Sequence, residues 1–273
     1  MGSDRSTGRG RLESRDVAAA SEDLALALEL ADLADELTLR RYRAEDLLID
    51  TKSDLTPVTE ADRAVEQAIR ARLAEVRPGD AVIGEEYDDV AAPDTARRWI
   101  IDPIDGTKSY VRGMPTWSTL IALSVETDIT VGVVSAPAAG RRWWASRGAG
   151  AFADGRPIRV STIASLGDAQ LAWGGIEDWD AVGRLDALIE LGRSCWRTRG
   201  VGDAWQYMLV AEGAAEIAID PVVSIWDLAA VQVVVEEAGG RFSDLAGVRG
   251  PGGGDGIATN GLVHDAALAF VGR

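Results

Sequence analysis

The chain has 273 residues, 47% of them hydrophobic and 26% charged, which suits one large globular domain or two modest ones and argues against long disorder or a fibrous protein. With 28 basic against 44 acidic residues the formal net charge is −16, which speaks against a nonspecific nucleic-acid binder or a lipid-surface protein, and no apolar run reaches the length of a membrane span. The lone cysteine, Cys195, excludes an internal disulfide and reads as a small apolar strand residue in a reducing cytoplasm, while the lone histidine, His264, stands beside no nucleophile motif, which disfavours a Ser-His-Asp triad or a histidine-rich zinc site.

Residues 1–20 are mostly polar, without the apolar centre of a signal peptide, and read as a disordered tail, native or added. From Ser21 an N-cap and an acidic first turn open a helix expected to run to about Arg43. Thr59 opens a second helix, with an apolar stripe at Val65, Ile69 and Leu73 and a stop at Pro78-Gly79. Strands are expected over 81–84, 98–102, 117–126, 130–136 and 142–145, the third and fourth forming a hairpin. A glycine-rich stretch and a turn ending near Gly155 close this α+β half, residues 21–155.

The second half, 156–273, alternates: strand 169–173, helix 179–192, strand 195–199, helix 203–213, strand 215–219, helix 225–238 and strand 241–243. A loop over 250–256 precedes a last strand and a helix that starts near His264. Such alternation predicts a sheet covered by helices.

The segment most informative about chemistry is Trp99-Ile100-Ile101-Asp102-Pro103-Ile104-Asp105-Gly106-Thr107. An apolar run stops in two carboxylates three residues apart, followed by a glycine and a hydroxyl. Oxygen ligands at the end of a buried strand are what hard cations such as Mg²⁺ prefer, leaving coordination positions for water and phosphate. Phosphoryl transfer or hydrolysis is the expected chemistry. Pro103 steers Asp102 away from helical geometry, the chain then has to turn, and Gly106 lets backbone approach a ligand. Gly84-Glu85-Glu86 follows another strand, and Asp227 sits in the apolar helix start Ile225-Trp226-Asp227-Leu228. Singly, each has a plainer reading: a solvated turn for Asp102 and Asp105, a surface residue for Glu85, an N-cap for Asp227.

Taken together, Asp54–Asp62, Ile83-Gly84-Glu85-Glu86, Trp99–Thr107 and Trp226–Ala230 with Glu237-Ala238-Gly239-Gly240 resemble, in order and spacing, the inositol monophosphatase family, from about residue 21 to the C-terminus. The resemblance implies an α/β (α+β) layered αβαβα sandwich, usually a homodimer, and a Mg²⁺-dependent, often lithium-sensitive phosphomonoesterase using two or three ions per site. It implies metal ligation by Glu85, Asp102, Asp105, Asp227 and the Ile104 carbonyl. Asp62 and Thr107 match the pair that orients and deprotonates the attacking water, and the backbone N–H groups of Gly106 and Thr107 match the phosphate cradle.

Further stretches, 141–152, 197–213, 220–227 and 258–265, look like the histidinol-phosphatase branch of actinobacterial type. L-Histidinol phosphate carries an ammonium and an imidazole, for which carboxylates and aromatic faces are the natural partners. Asp203 and Asp220 are candidates; Asp203 has an equal plain reading as an N-cap, and Asp220 as the end of a strand. Arg199 either approaches the phosphate or pairs with a nearby carboxylate. Trp117, Trp143, Trp144 and Trp205 read as core or dimer interface. The leading expectation is a cytoplasmic Mg²⁺-dependent enzyme that takes a small phosphate ester, L-histidinol phosphate, to L-histidinol and phosphate in histidine biosynthesis; the competing ones are an inositol-1-phosphate phosphatase or broad-specificity member of the same family, and a noncatalytic binding protein.

Overall fold

The computed structural model describes residues 9–52, 56–89 and 96–272. Helix α1 (Arg9–Arg41) leads through the hairpin β1 (Ile49–Thr51) and β2 (Pro57–Thr59) into α2 (Glu60–Val76). Strands β3 (Ala81–Gly84) and β4 (Arg97–Asp105), the short helix α3 (Thr107–Val111), and strands β5 (Ser118–Val125), β6 (Asp128–Ala136), β7 (Arg141–Ser146), β8 (Gly150–Ala153) and β9 (Arg156–Pro157) follow. The second half runs β10 (Gln170–Trp173), α4 (Ile176–Ala181), α5 (Leu185–Ser194), β11 (Arg197–Gly200), α6 (Asp203–Ala211), β12 (Ile217–Asp220), α7 (Ile225–Glu237), β13 (Arg241–Ser243), β14 (Gly256–Thr259) and α8 (His264–Val271).

Strands β3 to β9 form a seven-stranded sheet in sequence order, parallel between β3 and β4 and antiparallel from there on. A five-stranded sheet has the order β11-β10-β12-β14-β13. One face of the larger sheet packs on α1 and α2 through Leu30, Ile69, Trp99 and Val131. Its other face and one face of the smaller sheet enclose α6 and α7, while α4, α5 and α8 cover the outer face of the smaller sheet. The layers are therefore αβαβα, as the family resemblance implied. Helix α7 belongs in the middle because Leu228 to Val235 are all buried, and a helix apolar all round cannot face water.

Four details depart from the expectation. Helix α1 starts at Arg9, upstream of Ser21, where Ala18-Ala19-Ala20 and straight-chain Arg and Glu residues are good helix formers. Only residues 1–8 of the expected tail lie outside the described residues, as do Asp54 and Leu55 of the quoted motif. The expected helix over 179–192 is two helices, broken at Gly183, whose φ of 70° is left-handed. Cys195 ends α5 instead of lying on a strand, and residues 150–157 form β8 and β9 rather than only a closing turn.

The expected stop at Asp102 is also absent: β4 continues through Pro103 to Asp105. The register explains how. Asp102 pairs with Leu120 and Asp105 with Ser118, so β4 carries one residue more than its partner, a β-bulge of the kind that tolerates proline inside a sheet. Thr119 Oγ1 donates to the Pro103 carbonyl at 2.8 Å, satisfying an acceptor that the distorted ladder frees. In a regular strand residues three apart point to opposite faces; the extra residue restores Asp102 and Asp105 to one side.

Helix α7 lies unusually close to the sheet at Gly132 of β6. A Cβ there would stand 2.5 Å from Val233 Cγ1 and 2.6 Å from the Ala230 carbonyl oxygen. Gly132→Ala should therefore lift α7 and destabilise the fold by about 1–3 kcal/mol, the usual cost of overpacking. Urea unfolding of the variant checks this; an unchanged midpoint would mean that the interface yields freely.

Candidate metal centre

Asp102 and Asp105 meet a third carboxylate, Asp227, and one oxygen from each lies within 4.8 Å of the others. Asp227 occupies the third position of α7 in a capping box with Ser224: its Oδ2 accepts from the Ser224 N–H at 2.7 Å. The expected N-cap role thus falls to Ser224, and Asp227 serves the cap with one oxygen while presenting the carboxylate to the cluster. Asp105 Oδ2 accepts from the Ala204 N–H at 2.7 Å, which ties β4 to the start of α6. Asp102 Oδ1 is buried without a hydrogen-bond partner.

This concentration of negative charge is unfavourable as it stands. Burial first, then Glu85, Asp105 and Asp227, push the Asp102 carboxyl well above its ordinary range. Burial and then Asp203 and Asp227 do the same to Asp105. Burial, with Glu85 adding to it, raises Asp227 to about 6. Three clustered carboxylates with an orphaned oxygen, and no nitrogen or sulfur donor among them, fit a hard divalent cation.

Glu85 follows β3 and lies near enough to act on Asp102, outside the three-oxygen cluster. Its carboxylate is 2.6 Å from Lys52 Nζ, which is also 2.6 Å from Glu86. The Glu86 N–H donates to buried Glu66 at 2.8 Å, and Glu66 pairs with Arg70 at 2.7 Å. The Ile104 carbonyl accepts from Thr107 Oγ1 at 3.0 Å.

Thr107 Oγ1 also lies 3.2 Å from Asp62 Oδ1. Its single proton serves one of these acceptors at a time. Asp62 is the third residue of α2, held by a capping box in which its Oδ2 accepts from the Thr59 N–H at 2.8 Å and from the Thr59 hydroxyl at 2.5 Å. Burial is the main cause of its raised pKa, which makes the carboxylate a better proton acceptor. Asp62 and Asp227 are thus aimed by the same device, a capping box at a helix start.

Gly106 follows Asp105 at a φ of 82°. A Cβ at this position would stand 2.8 Å from Asp203 Oδ2, so a glycine is required both for the backbone turn and for the approach of Asp203. Gly202 is the N-cap of α6, and Asp203, its first residue, has a left-handed φ of 54°. Asp203 therefore is not the cap. Burial raises its pKa to about 6 against the opposing charge of Lys108.

Asp220 ends β12, with Oδ2 accepting from Tyr207 OH at 2.8 Å and from Gln206 Nε2. Its other oxygen lies 2.7 Å from where a Cβ of Gly174 would be. Burial first, and then Asp203 and Asp227, raise its pKa to about 7. Arg199 is exposed on the edge strand β11 and donates to the Thr198 carbonyl at 2.8 Å; among the described residues no ion pair or hydrogen bond joins it to the cluster.

The tryptophans behave as packing residues. Trp117 sits edge-on to Tyr110, and Trp143 edge-on to Trp205; Trp144 stacks on Phe152. His264 is buried, its two ring nitrogens each 3.0 Å from a hydroxyl, of Ser243 and Thr259, and burial lowers its pKa to about 4. Lys52, Glu66 and the Ala204 N–H are the participants that sequence reading passed over. Lys52 lies outside every quoted motif, Glu66 reads as an ordinary charged residue of an amphipathic helix, and a backbone donor has no signature at all.

A layered αβαβα sandwich whose bulged strand and two helix starts converge on carboxylates is the architecture of a metal-dependent phosphatase family. Residues 19–270 match the inositol monophosphatase family, and the chain belongs to it. The relatives include the histidinol-phosphatase of Mycobacterium tuberculosis, 56% identical over 90% of this chain and 96% of the relative, and that of Streptomyces coelicolor, 48% identical over 92% and 97%. Among solved structures, the extragenic suppressor protein suhB of Bartonella henselae superposes with a TM-score of 0.86 at 28% identity, covering 92% of this chain and 98% of that one.

A carboxyl whose pKa rises on folding holds its proton more tightly in the native state, so the metal-free protein loses stability from this source as pH climbs from the ordinary value of 3.8 through about 6 for Asp227. A cation must displace the same proton. The increase in Tm on saturating the EDTA-treated protein with Mg²⁺ should therefore grow between about pH 5 and pH 8, as thermal scans with and without the ion will register. A shift independent of pH would dissociate the ion from these carboxylates.

Proposed function

We propose that the chain hydrolyses L-histidinol phosphate to L-histidinol and phosphate, as a Mg²⁺-dependent phosphomonoesterase with two or three ions held by Glu85, Asp102, Asp105, Asp227 and the Ile104 carbonyl. The observation that carries the reaction is the three-carboxylate cluster beside the Asp62–Thr107 pair. When bound, the cations neutralise phosphate oxygens, acidify water and stabilise the leaving alkoxide. The chain's own groups do the rest. Asp62 takes a proton through Thr107: the hydroxyl turns its hydrogen to Asp62 Oδ1 and offers a lone pair to the attacking water. The backbone N–H groups of Gly106 and Thr107 are proposed to hold phosphate oxygens. No histidine is needed, and His264 plays no part.

Substrate choice rests on Asp203 and Asp220. Both lie close to the cluster, and Asp203 reaches over Gly106. With the phosphate on the cations, an acidic wall suits an amino alcohol that carries an ammonium and an imidazole better than a neutral polyol. Similarity to histidinol-phosphatases over nine-tenths of the chain supports the same assignment. A cytoplasmic homodimer is the proposed working form. Among the described residues no helix is long and apolar enough to cross a membrane.

Phosphate release from L-histidinol phosphate and from myo-inositol 1-phosphate, with Mg²⁺ and with EDTA, tests the proposal on the wild type and on Asp203→Asn. Asparagine tolerates the left-handed backbone, so the substitution removes charge with little strain. A hydrogen bond to a charged group contributes about 1.5–3 kcal/mol, so kcat/KM for histidinol phosphate should fall roughly tenfold or more while the inositol ester is little affected. Equal loss on both esters would remove Asp203 from substrate selection, and a wild-type preference for the inositol ester would overturn the substrate assignment.

A further inference from the structure

A second concave site lies away from the metal centre, where the β7–β8–β9 meander meets the C-terminal end of α6. It is a cleft of about 700 Å³ whose lining includes Arg141, Arg156, Arg159, Asp154, Glu212 and Ile158, a size typical of small-molecule pockets. Helix α6 separates the two sites. The N–H of Ala204 at its start bonds Asp105, and Glu212 is the residue that caps its end, about 12 Å further along at 1.5 Å per residue.

The charges of the cleft are unevenly spent. Arg141 Nε is 2.7 Å from Asp154 and its Nη2 pairs with Glu212, while its guanidinium lies 4.8 Å from the centre of the Trp143 ring. Glu212 also accepts from Trp143 Nε1 at 2.5 Å. Both lining carboxylates are therefore already paired. Arg156 and Arg159 are exposed, and among the described residues neither is paired with a carboxylate. Other exposed arginines, Arg98, Arg193 and Arg199 among them, also lack a carboxylate partner among the described residues, but Arg156 and Arg159 line one cleft together, beside Ile158.

We infer that this cleft is a second binding site, for a small oxyanion-bearing molecule whose phosphate or carboxylate is gripped by Arg156 and Arg159 and whose apolar part lies against Ile158. Guanidinium forks match the planar arrangement of oxygens in both kinds of group. Arg141, already fixed by Asp154, Glu212 and Trp143, supplies a preorganised positive edge rather than a third free fork. The inference is independent of the substrate assignment, because none of these residues belongs to the metal centre.

The metal centre helps in testing it. Stripped of cations, its carboxylates repel anions, so any saturable anion binding by the EDTA-treated protein has to come from elsewhere. Isothermal titration of that protein with inorganic phosphate and, separately, with succinate should show saturable binding of at least one. Phosphate alone would assign the site to phosphate esters and succinate alone to carboxylates. Arg156→Ala/Arg159→Ala should weaken the binding roughly tenfold or more and leave Mg²⁺-dependent turnover intact, which also shows that the variant is folded. Arg98→Ala/Arg193→Ala removes the same charge from other exposed positions and should leave binding unchanged. The inference fails if the wild type binds neither anion, or if the two double variants weaken binding equally.

Discussion

The site depends on a single extra residue in β4. Carboxylates three apart on a regular strand face opposite sides of the sheet; the bulge between Asp102 and Asp105 puts both on the side where α7 delivers Asp227. The surrounding structure supports that irregularity. Pro103 lacks the N–H that a regular ladder would use, Thr119 takes up the Pro103 carbonyl, and the Asp105 carboxylate is anchored by the Ala204 N–H. Gly106 then turns the chain with a φ open to few other residues.

The carboxylates also set the fold's electrostatic problem. Each helix that reaches the site does so by its N-terminal end, where backbone N–H groups and the helix dipole favour negative charge. Asp62 and Asp227 each give one oxygen to a capping box, so the groups that face one another are also those that start α2 and α7. Fold stability and site geometry are coupled through those two residues. Burial first, and then the remaining repulsion, raise the carboxyl pKa values, and a bound cation would relieve the repulsion. Lys52 gives partial relief at one edge, where it bridges Glu85 and Glu86.

How far the sequence discloses this follows from the range of each interaction. The ligand motifs are local and dense, so Asp102, Asp105, Thr107 and Asp227 can be picked out together, and the alternation of apolar segments predicts a sheet covered by helices, while the αβαβα layering comes from the family resemblance. Pairings distant in sequence are not visible. Nothing near Lys52 announces Glu85, 33 positions away, and nothing near Asp203 announces that its carboxylate will lie against Gly106. Asp203 looks like an N-cap by residue type, yet its left-handed φ and the cap at Gly202 are products of the packed loop. Arg199 attracts attention as a cation near the motifs; its place on an exposed edge strand follows from sheet order, which composition does not encode.

The central claim is that the bulge makes one cation site from Asp102, Asp105 and Asp227. Anomalous diffraction from crystals of the protein grown with Mn²⁺, a cation that prefers the same oxygen ligands, tests it most directly. The account predicts an anomalous peak coordinated jointly by oxygens of all three aspartates. A peak that leaves out Asp105 or Asp227, or Mn²⁺ bound only elsewhere on the surface, would contradict it.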